Sequence, residues 1–203
     1  MVILNYGIGN LNSIKNMFNR VGVNALITDN PLEIEKAKKI ILPGVGHFDY
    51  GMKMLRQSSF FEILNQKATL EKVPILGICL GSQMLLEKSE EGSEQGLGWI
   101  KGECKKFDFQ ENKLNLSIPN MGWNEVVFDK NFALSKNLTE NSRFYFVHSY
   151  FMNCHDSENS KGKANYGIDY TCAIQKENVF GVQFHPEKSH KFGMQLLKNF
   201  AEL

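Results

Sequence analysis

The sequence predicts an α/β fold, an open and mostly parallel sheet flanked by helices, with antiparallel additions in the C-terminal half. Three observations carry this expectation. In the first half, short apolar runs alternate with longer amphipathic stretches, the pattern of βα units on a parallel sheet. Two of those runs end abruptly in glycine-containing loops, Pro43-Gly44-Val45-Gly46 and Cys79-Leu80-Gly81. From about Gly96 the runs become short, β-rich and punctuated by Asn, Asp and Gly, as antiparallel strands are.

Taken in order, Val2 to Leu4 reads as the first strand, and Leu11, Ile14, Phe18 and Val21 then recur at helical spacing. A second run, Ala25 to Thr28, leads to a polar stretch opening at Asn30-Pro31, and a third, Lys39 to Leu42, stops at the Pro43 loop. Two helical stretches follow. Val73 to Ile78 then gives a buried strand that runs into Cys79 and a helix carrying Met84, Leu85 and Leu86. Beyond Gly96, the segments Glu103 to Phe109, Glu125 to Phe128, Phe144 to Val147, Cys172 to Gln175 and Val179 to Gln183 read as strands. Asn153 to Tyr166 is polar and turn-rich, and reads as a surface loop. His190 to Phe200 closes the chain as an amphipathic helix.

At 203 residues, 42% hydrophobic and 22% charged, the chain has enough material for one domain with a sizeable core, and no repeat or low-complexity linker divides it. A single domain over residues 1–203 is expected. Lys and Arg number 23 against 22 Asp and Glu, and the resulting +1 offers no electrostatic footprint for nucleic acid or an anionic membrane surface. No apolar stretch approaches the roughly 20 residues that span a bilayer, and the start lacks the basic and apolar regions of a signal peptide, so a cytoplasmic protein is expected. The four cysteines are widely spaced with no CxxC pair, which favours free thiols over disulfides or zinc. No metal-ligand spacing appears among the histidines, and neither a metal nor a cofactor is expected.

Gly77-Ile78-Cys79-Leu80-Gly81 has the G-x-nucleophile-x-G form in a strand-turn-helix setting. Such a turn crowds the backbone on both sides of the nucleophile, and residues without a Cβ relieve that crowding. The helix N-terminus favours the thiolate, and the Leu80 N–H is placed to receive an oxyanion. Gln183-Phe184-His185-Pro186-Glu187 supplies a histidine and a carboxylate two residues apart, on the same side of the chain if it is extended, as proline favours for the residue before it. A carboxylate bonded to one imidazole nitrogen leaves the other free to take a thiol proton and return it to a leaving amine. Pro43-Gly44-Val45-Gly46 stands at the carboxyl end of a strand, where its glycines can turn an N–H toward a tetrahedral intermediate. The Tyr6-Gly7-Ile8-Gly9-Asn10 junction lacks the third glycine of a dinucleotide loop. Of the remaining histidines, His47, His148, His155 and His190, only His148 lies in a strand-like context.

In this order the PGVG loop, the GICLG elbow and FHPEKS resemble a class I glutamine amidotransferase domain. Over nearly the whole length, through YGIGNLNS, LPGVGHF, GICLGSQMLLEKSEEG, PNMGWNEV, FYFVHSY and GVQFHPEKS, the chain resembles the glutaminase subunits of imidazole glycerol phosphate synthase, a histidine-biosynthesis enzyme. The resemblance implies that Cys79 is the nucleophile, His185 the general base and acid, and Glu187 its orienting partner. It implies that Gln83 and Glu91 hold substrate glutamine, that Gly44, Gly46 and Leu80 match the oxyanion loop and elbow, and that His148, Ser149 and Tyr150 line the glutamine pocket. It further implies a cyclase subunit of (β/α)₈-barrel type as partner in a heterodimer, facing Asn10, Met121, Gly122, Trp123 and Asn124, with ammonia passed to it. Two positions depart from the family pattern: Asn5 stands where Asp is usual, and Asn120 where His is common. They keep open an alternative, a paralogue that supplies ammonia to a sugar-aminating partner in surface-glycan synthesis. A stand-alone cysteine hydrolase and a catalytically idle regulatory subunit are two further readings, disfavoured by the glutamine-pocket residues and by the intact set of Cys79, His185 and Glu187.

Overall fold

The computed structural model describes residues 1–109 and 115–203. In chain order the elements are β1 (Val2–Leu4), α1 (Leu11–Arg20), β2 (Leu26–Thr28), α2 (Pro31–Glu35), β3 (Ile40–Leu42), α3 (Phe48–Gln57), α4 (Phe61–Thr69), β4 (Ile75–Ile78) and α5 (Leu80–Gln83). Then come β5 (Lys88–Ser89), β6 (Gly102–Lys106), β7 (Asn120–Glu125), β8 (Val127–Phe128), β9 (Arg143–His148), β10 (Tyr150–Cys154), β11 (Ser160–Tyr166), β12 (Ile168–Lys176), β13 (Val179–Val182) and α6 (His190–Glu202). Among the described residues the main sheet runs β2-β1-β3-β4-β13-β12-β10-β6-β5, with β11 and β8 attached beyond β12, and β7 pairs with β9 in a separate two-stranded sheet.

The first five strands of that order, β2 to β13, are mutually parallel, whereas β12, β10 and β11 add on antiparallel. Strands β1, β3, β4 and β13 are buried along their whole length, which is why they read as continuous apolar runs. Their side chains alternate between two cores. Ile3, Ile41, Leu76 and Ile78 pack on one face with Phe18 of α1 and Leu196, Leu197 and Phe200 of α6. Leu4, Ile40, Leu42 and Ile75 pack on the other with Ile34, Phe48, Leu55 and Leu64 of α2, α3 and α4. The period of two along each strand thus divides the helices between the faces.

Three expectations are corrected. Asn153 to Tyr166 is no loop: it holds the end of β10 and all of β11, which pairs with β12, and only Ser157–Asn159 between them forms a short 3₁₀ turn. The inward positions of β11 are Gly162 and Ala164, too small to register as an apolar alternation beside the outward Lys163 and Asn165. The expected strand Glu125 to Phe128 is split between β7, which begins earlier at Asn120, and β8. The helix after Cys79 is a single turn, Leu80–Gln83, and Met84, Leu85 and Leu86 are fully buried beyond its end.

Because β4 lies between β3 and β13, and all three are parallel, their carboxyl ends share one edge of the sheet. The tightest contact there is between the turn after β4 and the end of β3. A Cβ on Gly81 would sit 2.0 Å from the Leu42 carbonyl oxygen, and one on Gly77 would sit 2.7 Å from the Gly81 carbonyl oxygen. Neither neighbour is a side chain that could swing aside. Gly81→Ala is therefore expected to destabilise the protein by about 3 kcal/mol or more, at the upper end for overpacking. Gly46→Ala, with no atom within 4 Å of the added methyl but a φ of +95°, is expected to cost about 1–2 kcal/mol. Urea unfolding midpoints would check both, and equal losses would contradict the packing argument.

Candidate active site

The edge shared by β3, β4 and β13 gathers the three segments that the sequence marked for chemistry. Cys79 follows β4 directly and holds φ +55° and ψ −115°, a conformation that a residue with a side chain seldom adopts. It is held there by bonds on both sides: the Cys79 N–H donates to the Val182 carbonyl of β13 at 2.8 Å, and its own carbonyl accepts from Ser82 N–H and from the Ser82 hydroxyl. The thiol is thereby pointed off the sheet edge, between the loops that follow β3 and β13.

From β13 the chain passes through Gln183, Phe184 and His185, and Pro186–Lys188 then forms a 3₁₀ turn with proline at its first position. The backbone is fixed by His185 N–H donating to the Tyr145 carbonyl (2.9 Å) and by the Ser189 hydroxyl donating to the His185 carbonyl (2.6 Å). His185 itself is extended, but the turn rather than a continued strand brings Glu187 back beneath it. His185 Nδ1 lies 2.8 Å from Glu187 Oε1, with the two side chains only 3% and 2% exposed. His185 Nε2 makes no hydrogen bond of ordinary geometry, yet Cys79 is close enough to act on it. Burial opposes the charged imidazole, but hydrogen bonding to Cys79 and to Glu187, together with their negative charge, outweighs it and pushes the His185 pKa up to about 10. The single helical turn after Cys79 offers little dipole, and the His185 imidazolium is the cation that Cys79 interacts with.

A cavity of about 400 Å³ opens at this point, within the size range of small-molecule sites, about 300–1,000 Å³. It is lined by Cys79, Leu80 and His185 of the two chemical segments, by Val45 and Gly46 of the loop after β3, by Gln83 and Glu91, and by Pro119 and Val147 to Tyr150. Of the residues expected to bind glutamine, only Gly44 is not in the lining. It packs beneath, where an added Cβ would lie 2.5 Å from the Gly81 nitrogen. Pro43 is gripped as well, its carbonyl accepting from the buried Tyr6 hydroxyl, whereas Val45 is 43% exposed and Gly46 has φ +95°. The loop is thus anchored at its first two residues and free at its last two.

The polar walls are bonded to one another. Gln83 Nε2 donates to the Tyr150 carbonyl (3.1 Å) and to Gln183 Oε1 (3.0 Å), while Gln183 Nε2 reaches to 3.9 Å from the Cys79 sulfur. Glu91 Oε2 accepts from the Phe48 N–H (2.8 Å). His148 is buried, and burial, assisted by the nearby His185 charge and only partly offset by the Tyr150 carbonyl, lowers its pKa to about 4. It is neutral at physiological pH. A larger groove of about 570 Å³ along β8 and β11 is lined mainly by strand residues and charged side chains, with neither a cysteine nor a histidine among them. Among the described residues no cluster of three or more His, Cys, Asp or Glu is placed to hold a metal, and no helix is long and apolar enough to cross a membrane.

Of the residues expected at a partner face, Asn10 opens α1 from an exposed position, and Met121 and Trp123 are 63% and 44% exposed, with Trp123 stacked on His190 at 5.4 Å. Asn124 does not join them: its amide turns inward to Asn120 Oδ1 and the Tyr170 hydroxyl. Sequence reasoning assigned no part to Gln183, Tyr170 or Tyr6. Gln183 carried a usable signal, a polar side chain at the end of an apolar run and two residues before His185. Tyr170 and Tyr6 carried none, since their partners lie 50 and 37 residues away.

A cysteine on a strained strand-to-helix turn beside a buried histidine-carboxylate pair, on a parallel sheet of this order, defines a class of amide-cleaving thiol enzymes. The chain belongs to the class I glutamine amidotransferase family, whose model, described as "Glutamine amidotransferase class-I", matches residues 2–203. Within it, the chain is 52% identical to imidazole glycerol phosphate synthase subunit HisH 2 of Methanococcus maripaludis, over 100% of this chain and 98% of that protein. It is 48% identical to subunit HisH 2 of Pseudomonas aeruginosa (100% and 99% covered) and 47% identical to subunit HisH of Leptospira borgpetersenii (99% and 98%). A solved structure titled "Crystal structure of glutamine amidotransferase" superposes with a TM-score of 0.76 at 18% identity, covering 99% of this chain and 97% of that one. The "Structure of PurLQS from Thermotoga maritima" gives 0.72 at 19% identity (99% and 96%). These two support the fold.

The His185 shift has a definite sign. Its folded pKa, about 10, lies above the ordinary 6.5, so the stability it contributes is fully present below pH 6.5 and is lost as pH rises toward 10. Glu187→Gln removes one of the charges that raise it. His185 is expected to remain an imidazolium at pH 8 in the unaltered protein and to titrate at distinctly lower pH in the variant, as read by histidine NMR. A His185 that is already neutral at pH 8 in the unaltered protein would refute the electrostatic account.

Proposed function

We propose that the chain is the glutaminase subunit of imidazole glycerol phosphate synthase, hydrolysing glutamine to glutamate and handing the ammonia to a cyclase subunit. The observation that carries this is the strained Cys79 beside the buried His185–Glu187 pair, in a chain matched end to end by HisH subunits. Those relatives favour histidine biosynthesis over the sugar-aminating alternative.

In this reading the Cys79 thiolate attacks the side-chain amide carbon of glutamine, forming a carbon-sulfur bond and a tetrahedral oxyanion. The Leu80 N–H, and a backbone N–H of the Val45-Gly46 segment once that peptide is suitably turned, are the donors available to the oxyanion. His185, holding a proton on Nε2 and steadied through Nδ1 by Glu187, protonates the nitrogen as the carbon-nitrogen bond breaks and ammonia leaves. Water, deprotonated by the now neutral His185, attacks the γ-glutamyl thioester, and glutamate departs with the Cys79 thiolate regenerated. Glu91 supplies a carboxylate for the substrate ammonium, and Gln83 with the backbone of His148, Ser149 and Tyr150 supplies polar partners for the remainder of the glutamine.

Ammonia released into water at neutral pH is mostly ammonium, which has no lone pair to react, so delivery through a docked partner preserves its nucleophilicity. Asn10, Met121 and Trp123 form the proposed seat for that partner, a (β/α)₈ barrel completing a heterodimer, where ammonia joins in forming imidazole glycerol phosphate and an aminoimidazole carboxamide ribotide. The test is glutamate release by the purified chain, alone and with a cyclase subunit and its phosphoribosyl ligand. Strong stimulation by the liganded partner is expected, with Cys79→Ala lowering turnover by about 10⁴-fold or more. Activity that persists in Cys79→Ala, or full activity that ignores the partner, would sink the reading.

A further inference from the structure

Strand β7 has two faces. Met121 and Trp123 point outward, while Asn120, 1% exposed, and Asn124 turn their amides inward. On the inner side, Asn120 Nδ2 lies 3.2 Å from His148 Nε2 and 3.0 Å from the Tyr170 hydroxyl, and Asn120 Oδ1 accepts from Asn124 Nδ2 at 3.3 Å. His148 Nδ1 lies 2.8 Å from the Tyr150 carbonyl oxygen. That oxygen can only accept, so Nδ1 carries the proton, and in the neutral ring Nε2 is then a lone pair that only a donor can face. The Tyr170 hydroxyl is 3.4 Å from Nε2, longer than an O–H donor bond ordinarily runs, which leaves the Asn120 amide as the donor.

The bonds continue into the cavity. The Tyr150 carbonyl that His148 holds also receives Gln83 Nε2, and Gln83, His148 and Tyr150 stand in the cavity wall beside Cys79. A core that required only packing here would be better served by apolar side chains. Several buried polar groups that satisfy one another cost desolvation, and what they return is a fixed orientation.

We propose that Asn120 is a positioning residue for glutamine: by donating to His148 Nε2 it sets the Nδ1–H tautomer, which fixes the Tyr150 carbonyl and, through it, Gln83. The glutamine part rests on the function proposed above. Asn120 touches no substrate in this scheme and acts through His148.

The test pairs histidine-selective ¹⁵N NMR with glutaminase kinetics in the complex with the cyclase subunit. In the unaltered protein at pH 7, His148 is expected to show a protonated Nδ1 and a bare Nε2. Asn120→Asp sets an acceptor opposite Nε2, and should move a proton onto that nitrogen. It should also raise the glutamine KM about ten-fold or more, the scale of one buried polar group left mismatched, with kcat changed less than about three-fold. Asn120→His, which can present an N–H at the same place, should restore both readouts toward the original. A lowered melting temperature with the tautomer and KM unchanged would mean a merely structural residue and overturn the proposal. Loss of the Nδ1–H tautomer in Tyr170→Phe but not in Asn120→Asp would assign the donor to Tyr170 and overturn it too. Should Asn120→Asp fail to fold, Asn120→Ala decides, and a glutamine KM within about two-fold of the original refutes the positioning role. An unaltered complex that releases no glutamate refutes the glutamine site itself, whereas the ¹⁵N pattern still decides whether Asn120 sets the imidazole.

Discussion

The close approach of the turn after β4 to the end of β3 is the constraint on which the site depends. Gly81 leaves no room for a side chain against the Leu42 carbonyl, and a Cβ on Gly44 would come within 2.5 Å of the Gly81 nitrogen from the loop side. With the two backbones in contact, the residue between strand and turn has to accept a positive φ, and that residue is Cys79. A non-glycine residue in such a conformation costs on the order of 1–3 kcal/mol, and it persists only where the surroundings fix it. Here the Cys79 N–H bond to β13 and the Cys79 carbonyl, which accepts from the Ser82 N–H, the Ser82 hydroxyl and the Gln83 N–H, do so. The reward for that cost is position, because the sulfur projects into a cavity instead of into the sheet.

The second cost is electrostatic. His185 and Glu187 are almost wholly withdrawn from water, and burial alone would drive the imidazole to its neutral form. The fold meets this with opposite charge on both sides of one ring, Glu187 at Nδ1 and Cys79 beyond Nε2, so the cation is favoured despite its burial. His148, lining the same cavity and also buried, meets a carbonyl, an amide and a hydroxyl, and is held neutral. Two histidines lining one cavity thus take opposite charge states for reasons visible in their partners.

Much of this was legible in the sequence because it rests on local chemistry. The parallel core announced itself through Val2 to Leu4, Lys39 to Leu42 and Val73 to Ile78, since strands buried on both faces are apolar throughout. Cys79, His185 and Glu187 stood out because glycines or a proline beside a reactive side chain leave a mark within five residues. What the sequence hid was either small or distant. Strand β11 reads as a loop because glycine and alanine fill its inward positions, and the turn at Pro186 reads as extended chain because proline opens both. The bonds from Asn120 to His148 and Tyr170 span 28 and 50 residues, and no spacing rule reaches so far.

The alternation along β7 also separates two kinds of change. Its outward residues, Met121 and Trp123, can be replaced without disturbing the cavity, because their side chains leave the strand on the side away from it. Its inward residues, Asn120 and Asn124, are tied to His148 and Tyr170 behind the cavity. A substitution on one side of this six-residue strand therefore leaves the polar contacts on the other side in place.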